Sequence, residues 1–92
     1  MHYKREFERL EIEEDAIAID ENGQELGRVF RVSGGGFQIK PISEDAVSKL
    51  HPGQRVAITV VEPASGVRNI FPVEVVYREG NSVGVKFVRS DP

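Results

Sequence analysis

Apolar residues recur at every second position along short runs of this chain, and turn-forming residues interrupt the runs every eight to twelve positions. A helical bundle would instead repeat its apolar positions every three to four residues. The alternation therefore points to strands with one face in a core, as in a small sandwich or barrel. Leu10 and Ile12 begin the first run. The acidic cluster Glu13-Glu14-Asp15 then shifts the parity, because Ile17 and Ile19 fall on the opposite phase. A bulge or bend at that point would keep both pairs facing inward. Asn22-Gly23 predicts a hairpin turn, since both residues tolerate the positive φ a tight turn demands. The returning strand is expected from Glu25 to Ser33, with Phe30 and Val32 on one face and Val29, Arg31 and Ser33 on the other.

Gly34-Gly35-Gly36 ends that strand and Phe37-Gln38-Ile39-Lys40 starts the next. Ser43 is suited to cap a short helix across Glu44–Leu50, with Glu44 and Asp45 in its first turn and Val47 and Leu50 as its apolar edge. Pro52-Gly53 stops it. A strand follows in which Val56, Ile58 and Val60 alternate with Arg55, Ala57 and Thr59. Ala64-Ser65-Gly66 then turns the chain into a long strand with Phe71, Val73, Val75 and Tyr77 on one face. Pro72 within it belongs on an edge or at a bulge. Glu79-Gly80-Asn81-Ser82 makes the last hairpin, and the final strand turns Val83, Val85 and Phe87 inward. The expected architecture is all-β: six or seven antiparallel strands and one short helix in a closed or nearly closed barrel, which hides most sheet edges.

Ninety-two residues make one domain. A chain of this size buries roughly 60–65% of its unfolded surface, enough for one core but hardly for the deep cleft of an enzyme. Net charge of −3 argues against binding nucleic acid or anionic membrane through a basic surface. There is no cysteine, hence no disulfide, thiol nucleophile or thiolate metal site. No apolar run approaches the ~20 residues needed to cross a bilayer. The first residues, Met1-His2-Tyr3-Lys4-Arg5-Glu6, lack the apolar stretch of a secretory signal, so the expected location is cytoplasmic.

Catalytic and metal chemistry find little support. Activating Ser or Thr needs a base, and the histidines are His2, near the terminus, and His51, placed to satisfy a carbonyl at a helix end. No His-x-x-x-His or carboxylate–His spacing occurs. Glu11, Glu13, Glu14 and Asp15 lack the glycine and spaced oxygens of a calcium loop and read as a solvated edge. The expectation is a binding domain, with neither enzyme activity nor a cofactor.

Two segments exceed what folding requires. Lys4-Arg5-Glu6-Phe7-Glu8-Arg9 sets Arg5 and Arg9 four apart. These arginines either pair with neighbouring glutamates on the surface or form a fork of guanidiniums matched to phosphate oxygens and purine faces. Val32-Ser33-Gly34-Gly35-Gly36 either bends the chain at a barrel corner or bares backbone amides to a ligand. It is no P-loop, because no Gly-Lys-Ser/Thr follows and a strand comes next.

An RxxxR segment ahead of the first strand, followed by a serine-glycine turn some twenty-five residues later, resembles the PilZ domain family. That family joins RxxxR to a [D/N]xSxxG motif on a six-stranded barrel, and many members bind the bacterial second messenger cyclic di-GMP. Lys4–Arg9 looks like the first motif, Arg31–Gly36 like the second, and Gly84-Val85-Lys86-Phe87 like the closing strand. The resemblance implies one domain over 1–92, with residues 1–9 a flexible arm and 10–88 the barrel. It implies ligand contacts from Arg5, Arg9, Arg31, Ser33, Gly34, Gly35 and Gly36, and a protein partner or neighbouring domain to receive the signal. Position 31 departs from the pattern: arginine stands where an acidic or amide side chain would accept hydrogen bonds from guanine, and arginine has no acceptor. Two readings result. One is a cyclic di-GMP receptor in which Arg31 grips phosphate or the guanine Hoogsteen edge. The other is a degenerate PilZ-like module that binds protein and no nucleotide. A third, RNA binding, conflicts with the negative charge and the scarcity of outward aromatics.

Overall fold

The computed structural model describes residues 12–88. Six strands, β1 (Ile17–Ile19), β2 (Glu25–Phe30), β3 (Gly36–Pro41), β4 (Arg55–Val61), β5 (Arg68–Glu79) and β6 (Ser82–Phe87), close into an antiparallel barrel. The order around the ring is β1-β2-β3-β6-β5-β4. The expectation of a small closed barrel is met, with six staves. Alternate residues point inward, and Val29, Ile39, Ile58, Val73, Val75 and Val83 are completely buried. Phe37, Phe71 and Phe87 fill one end of the interior with rings whose centroids lie 5.4–6.5 Å apart, in tilted and edge-on arrangements that suit aromatic quadrupoles.

Pro72 sits in β5 without breaking a ladder bond. Its partner Ala57 turns its N–H away from β5, to the Glu21 carboxylate at 2.9 Å, so the proline nitrogen faces the other way, beyond the end of the β6 pairing. Its carbonyl accepts from Val88 N–H.

Four expectations are corrected. Ile17 and Ile19 do not face the core; Ala16 and Ala18 do, both fully buried. The expected bend at the acidic cluster is present as the Glu14–Asp15 turn, with Asp15 at φ 78°, but it sets the opposite parity inward. Ala18 is flanked on the inner face by Val60 and Gly27, and these positions accept small side chains in a narrow barrel. Leu10 lies outside the described residues, as do residues 1–9 and 11, and the barrel strands run from Ile17 to Phe87.

At the β1–β2 connection, Gly23 has the positive φ but Asn22 does not. Asp20 organises a longer loop instead, its Oδ1 accepting from the N–H groups of Asn22 and Gln24. The expected helix over 44–50 is a single 3₁₀ turn, Asp45–Val47. Ser43 does accept the Ala46 N–H at 3.1 Å, and Val47 and Leu50 are buried, but the segment before Pro52 is too short to propagate further.

The fourth correction concerns β2 and β5. β2 stops at Phe30, because Arg31 adopts φ 53° and leaves the strand. In β5 the pairing slips between Val75 and Tyr77: Val75 opposes Val85, and Tyr77 opposes Gly84. Val76 is the extra residue of this bulge, and it moves Tyr77 from the expected inner face to the outer one.

Candidate functional site

The slip in β5 helps to make a cavity. Gly84 lies between the inward Val83 and Val85, so a side chain there would point outward, and the Tyr77 ring occupies that space. The tyrosine hydroxyl and Ser82 Oγ lie 3.2 Å apart, fixing the ring against the sheet. Beside it the outer faces of β6 and β3 continue with Lys86 and Gln38, the latter paired with Gly84. The turn between β2 and β3 closes the other side. The resulting hollow, about 230 Å³, includes Arg31, Ser33, Gly35, Gln38, Tyr77 and Lys86 in its lining. It is an open depression, below the ~300 Å³ at which pockets begin to enclose small ligands, so a nucleotide-sized molecule would lie across it.

The serine-glycine turn is held by its own atoms. Ser33 N–H donates to the Gly36 carbonyl at 2.9 Å, and the Ser33 hydroxyl accepts from Gly35 N–H and donates to the Gly36 carbonyl, both at 3.3 Å. One hydroxyl lone pair remains for a ligand. Gly36 is required by packing: a Cβ there would lie 2.8 Å from Lys86 Cα and closer still to the Val85 carbonyl oxygen. β3 and β6 could not then approach each other as they do. Gly35 faces open space.

The cavity thus brings together Arg31, Ser33, Gly35 and Gly36 among the residues read from sequence. Gly34 does not line it, and Arg5 and Arg9 lie outside the described residues. Arg31 arrives by a different route from the one expected. It does not share a strand face with Ser33; its left-handed backbone ends β2, and its guanidinium carbon lies 5.9 Å from the centroid of the Phe30 ring. Its N–H donates to Glu14 Oε2 at 3.2 Å, which ties the acidic turn before β1 to the end of β2.

Gln38, Tyr77 and Lys86, which also line the cavity, were not anticipated as site residues. Outward Gln38 and Lys86 are legible from the alternation in their strands, but not their meeting, which depends on β3 pairing with β6.

Chemically, the arrangement offers two cations (Arg31 and Lys86), an amide with both donor and acceptor, a hydroxyl and an aromatic wall. These are the means to hold an anionic ligand that carries flat rings. Among the described residues no group of three metal-ligating side chains occurs, and no helix is long and apolar enough to cross a membrane.

Comparison with characterised sequences gives one positive result. No curated protein matches the chain. The PilZ domain model matches residues 3–92, a span that contains the RxxxR segment, the serine-glycine turn and every strand of the barrel. With its six-stranded closed barrel and the match over nearly its full length, the chain belongs to the PilZ domain family.

Proposed function

We propose that this domain is a receptor for cyclic di-GMP, binding the dinucleotide across the outer-face cavity beside the β2–β3 turn. PilZ domains are generally receptors of this messenger and are a family of binding domains, not catalysts. The observation that carries the reading is the convergence of Arg31, Ser33 and Gly35 with Gln38, Tyr77 and Lys86 on one side of the barrel. Lys86 and Arg31 supply positive charge for phosphate oxygens. Tyr77 supplies a surface for base stacking. Gln38 and Ser33 supply polar contacts. Because the cavity is open, a second wall is needed to retain the ligand. In this reading Arg5 and Arg9 provide it, closing their guanidiniums on phosphate and guanine. Ordering that arm would be the output, read by a partner protein or adjoining domain.

The test is calorimetric titration of cyclic di-GMP into the domain and into an Arg5→Ala/Arg9→Ala variant. Micromolar or tighter binding by the parent, lost in the variant, is the expected result. Absence of heat, together with an unshifted melting temperature at high ligand concentration, would refute the receptor reading.

A further inference from the structure

We propose that the outer face of β1, β4 and the start of β5 docks a second copy of this chain. The proposal does not rest on the receptor reading. In the ring β1-β2-β3-β6-β5-β4, β1 and β6 are three staves apart, so this face lies on the far side of the barrel from the cavity.

Residues directly opposite each other on paired strands share a face. Ala18 and Val60 oppose each other and are buried, so their neighbours along β1 and β4 point outward. Two outward rows therefore cross the staves from β2 to β5. One runs Arg28, Ile17, Val61, Arg68; the other runs Glu25, Ile19, Thr59, Ile70. Ile17, Ile19, Thr59 and Val61 are half-buried, and Ile70 is 68% exposed. A sheet face turned only to water is polar. This one presents adjoining β-branched side chains, as does the inner face of a sheet sandwich, where two sheets pack about 10 Å apart with strands aligned.

The charges identify the occupant. Arg28 and Glu25 stand at the same end of the two rows. Among the described residues neither forms an ion pair, whereas Arg55 does, with Glu74. In a closed dimer one face meets itself across a two-fold axis lying in the interface. With that axis running across the strands between the rows, each row covers the other row of the partner. Ile17 then packs on the partner's Ile19, and Val61 on the partner's Thr59. Arg28 meets the partner's Glu25, and symmetry repeats the pair. Arg68 lays its aliphatic stem along the partner's Ile70. An axis along the strands would instead set Arg28 against the partner's Arg68, which like-charge repulsion excludes. The same docking thus joins the apolar centre and matches the charged rim. The two rows supply eight residues a side, short of the roughly 20–30 of a standard interface, so the dimer is weak and reversible.

The test is sedimentation equilibrium of the whole chain at low ionic strength and up to about 0.5 mM, for the parent, Arg28→Glu and Glu25→Arg. The parent is expected to form a dimer. Each single variant places like charges against each other twice, so its association falls by about tenfold or more. An equimolar mixture of the two singles regains it as a heterodimer, because Glu25 and the new glutamate of one copy face Arg28 and the new arginine of the other. The double variant Glu25→Arg/Arg28→Glu, which reverses both partners, associates like the parent. A parent that stays monomeric would overturn the proposal and leave this face to a different protein. Single variants that associate as the parent does, or a mixture that stays monomeric, would overturn the proposed docking.

Discussion

The wall of the cavity depends on an aromatic ring lying over a glycine, and that contact is open to measurement. In Gly84→Ala the new methyl carbon would sit 2.7 and 2.8 Å from Tyr77 Cζ and Cδ2, and closer still to Cε2. Ordinary contact between carbons is about 3.5–4 Å, so the ring has to retreat by well over half an ångström. Retreat breaks the contact between the tyrosine hydroxyl and Ser82, worth about 1 kcal/mol. It also forfeits the cross-strand packing, worth about 0.2–1 kcal/mol. Against this, replacing glycine within a strand gains roughly 0.5–1 kcal/mol of backbone entropy. The single variant is therefore expected to lose about 1 kcal/mol. Once Tyr77→Ala has removed the ring, the same Gly84→Ala change should stabilise by roughly 0.5–1 kcal/mol, giving a coupling energy of about 1.5–2 kcal/mol. Urea unfolding of the parent, both singles and the double, at constant m value, measures this coupling. A coupling below about 0.5 kcal/mol would show that the ring does not lean on Gly84 and that the cavity wall is misassigned.

Three further outcomes are expected. Gly36→Ala should destabilise by about 1–3 kcal/mol in thermal or urea unfolding, because its methyl group would press on the backbone of Val85 and Lys86, whereas Gly35→Ala, facing open space, should stay within about 0.5 kcal/mol of the parent. Glu21→Ala strands the Ala57 N–H, whose acceptor is now the Glu21 carboxylate, and should cost about 1 kcal/mol; Glu21→Gln, which keeps an acceptor, should recover most of it. Arg55→Ala removes the ion pair with Glu74, but at 3.7 Å with the arginine side chain 71% exposed it should change stability by less than about 0.5 kcal/mol at any salt concentration.

The strands that follow strict alternation were legible in the sequence for a simple reason: where one face is dry and the other wet, the pattern records the geometry. β4 and β6 are of this kind, with Ile58 and Val60, and Val83 and Val85, buried as the period requires. Phase was lost wherever the backbone inserts or twists by one residue. At Asp15 a left-handed residue puts alanines inside and isoleucines outside, and hydrophobicity ranks the two in the opposite order from the volume that the barrel has room for. At Val76 one extra residue moves Tyr77 out, although nothing in Val75-Val76-Tyr77 marks the slip. The site was half legible for a related reason. Arg31, Ser33, Gly35 and Gly36 are neighbours in sequence, so a local motif finds them. Gln38, Tyr77 and Lys86 reach the same place through strand pairing, and a linear pattern holds no information about which strands become neighbours.

β1 is only three residues long, yet it is the stave that joins β2 to β4 and completes the ring. A ring is severed by one break, so releasing these three residues would turn the barrel into a curled sheet with two raw edges, one on β2 and one on β4. Closure and overall integrity are then separate thresholds. Amides that bond across this seam should exchange with solvent through a small local opening, while those bridging β5 to its two long neighbours wait for the whole domain to unfold. The acidic turn carrying Glu14 leads directly into this weakest stave and is bonded to the end of β2 through the Arg31 N–H, so losing that bond should loosen the seam before the rest of the barrel.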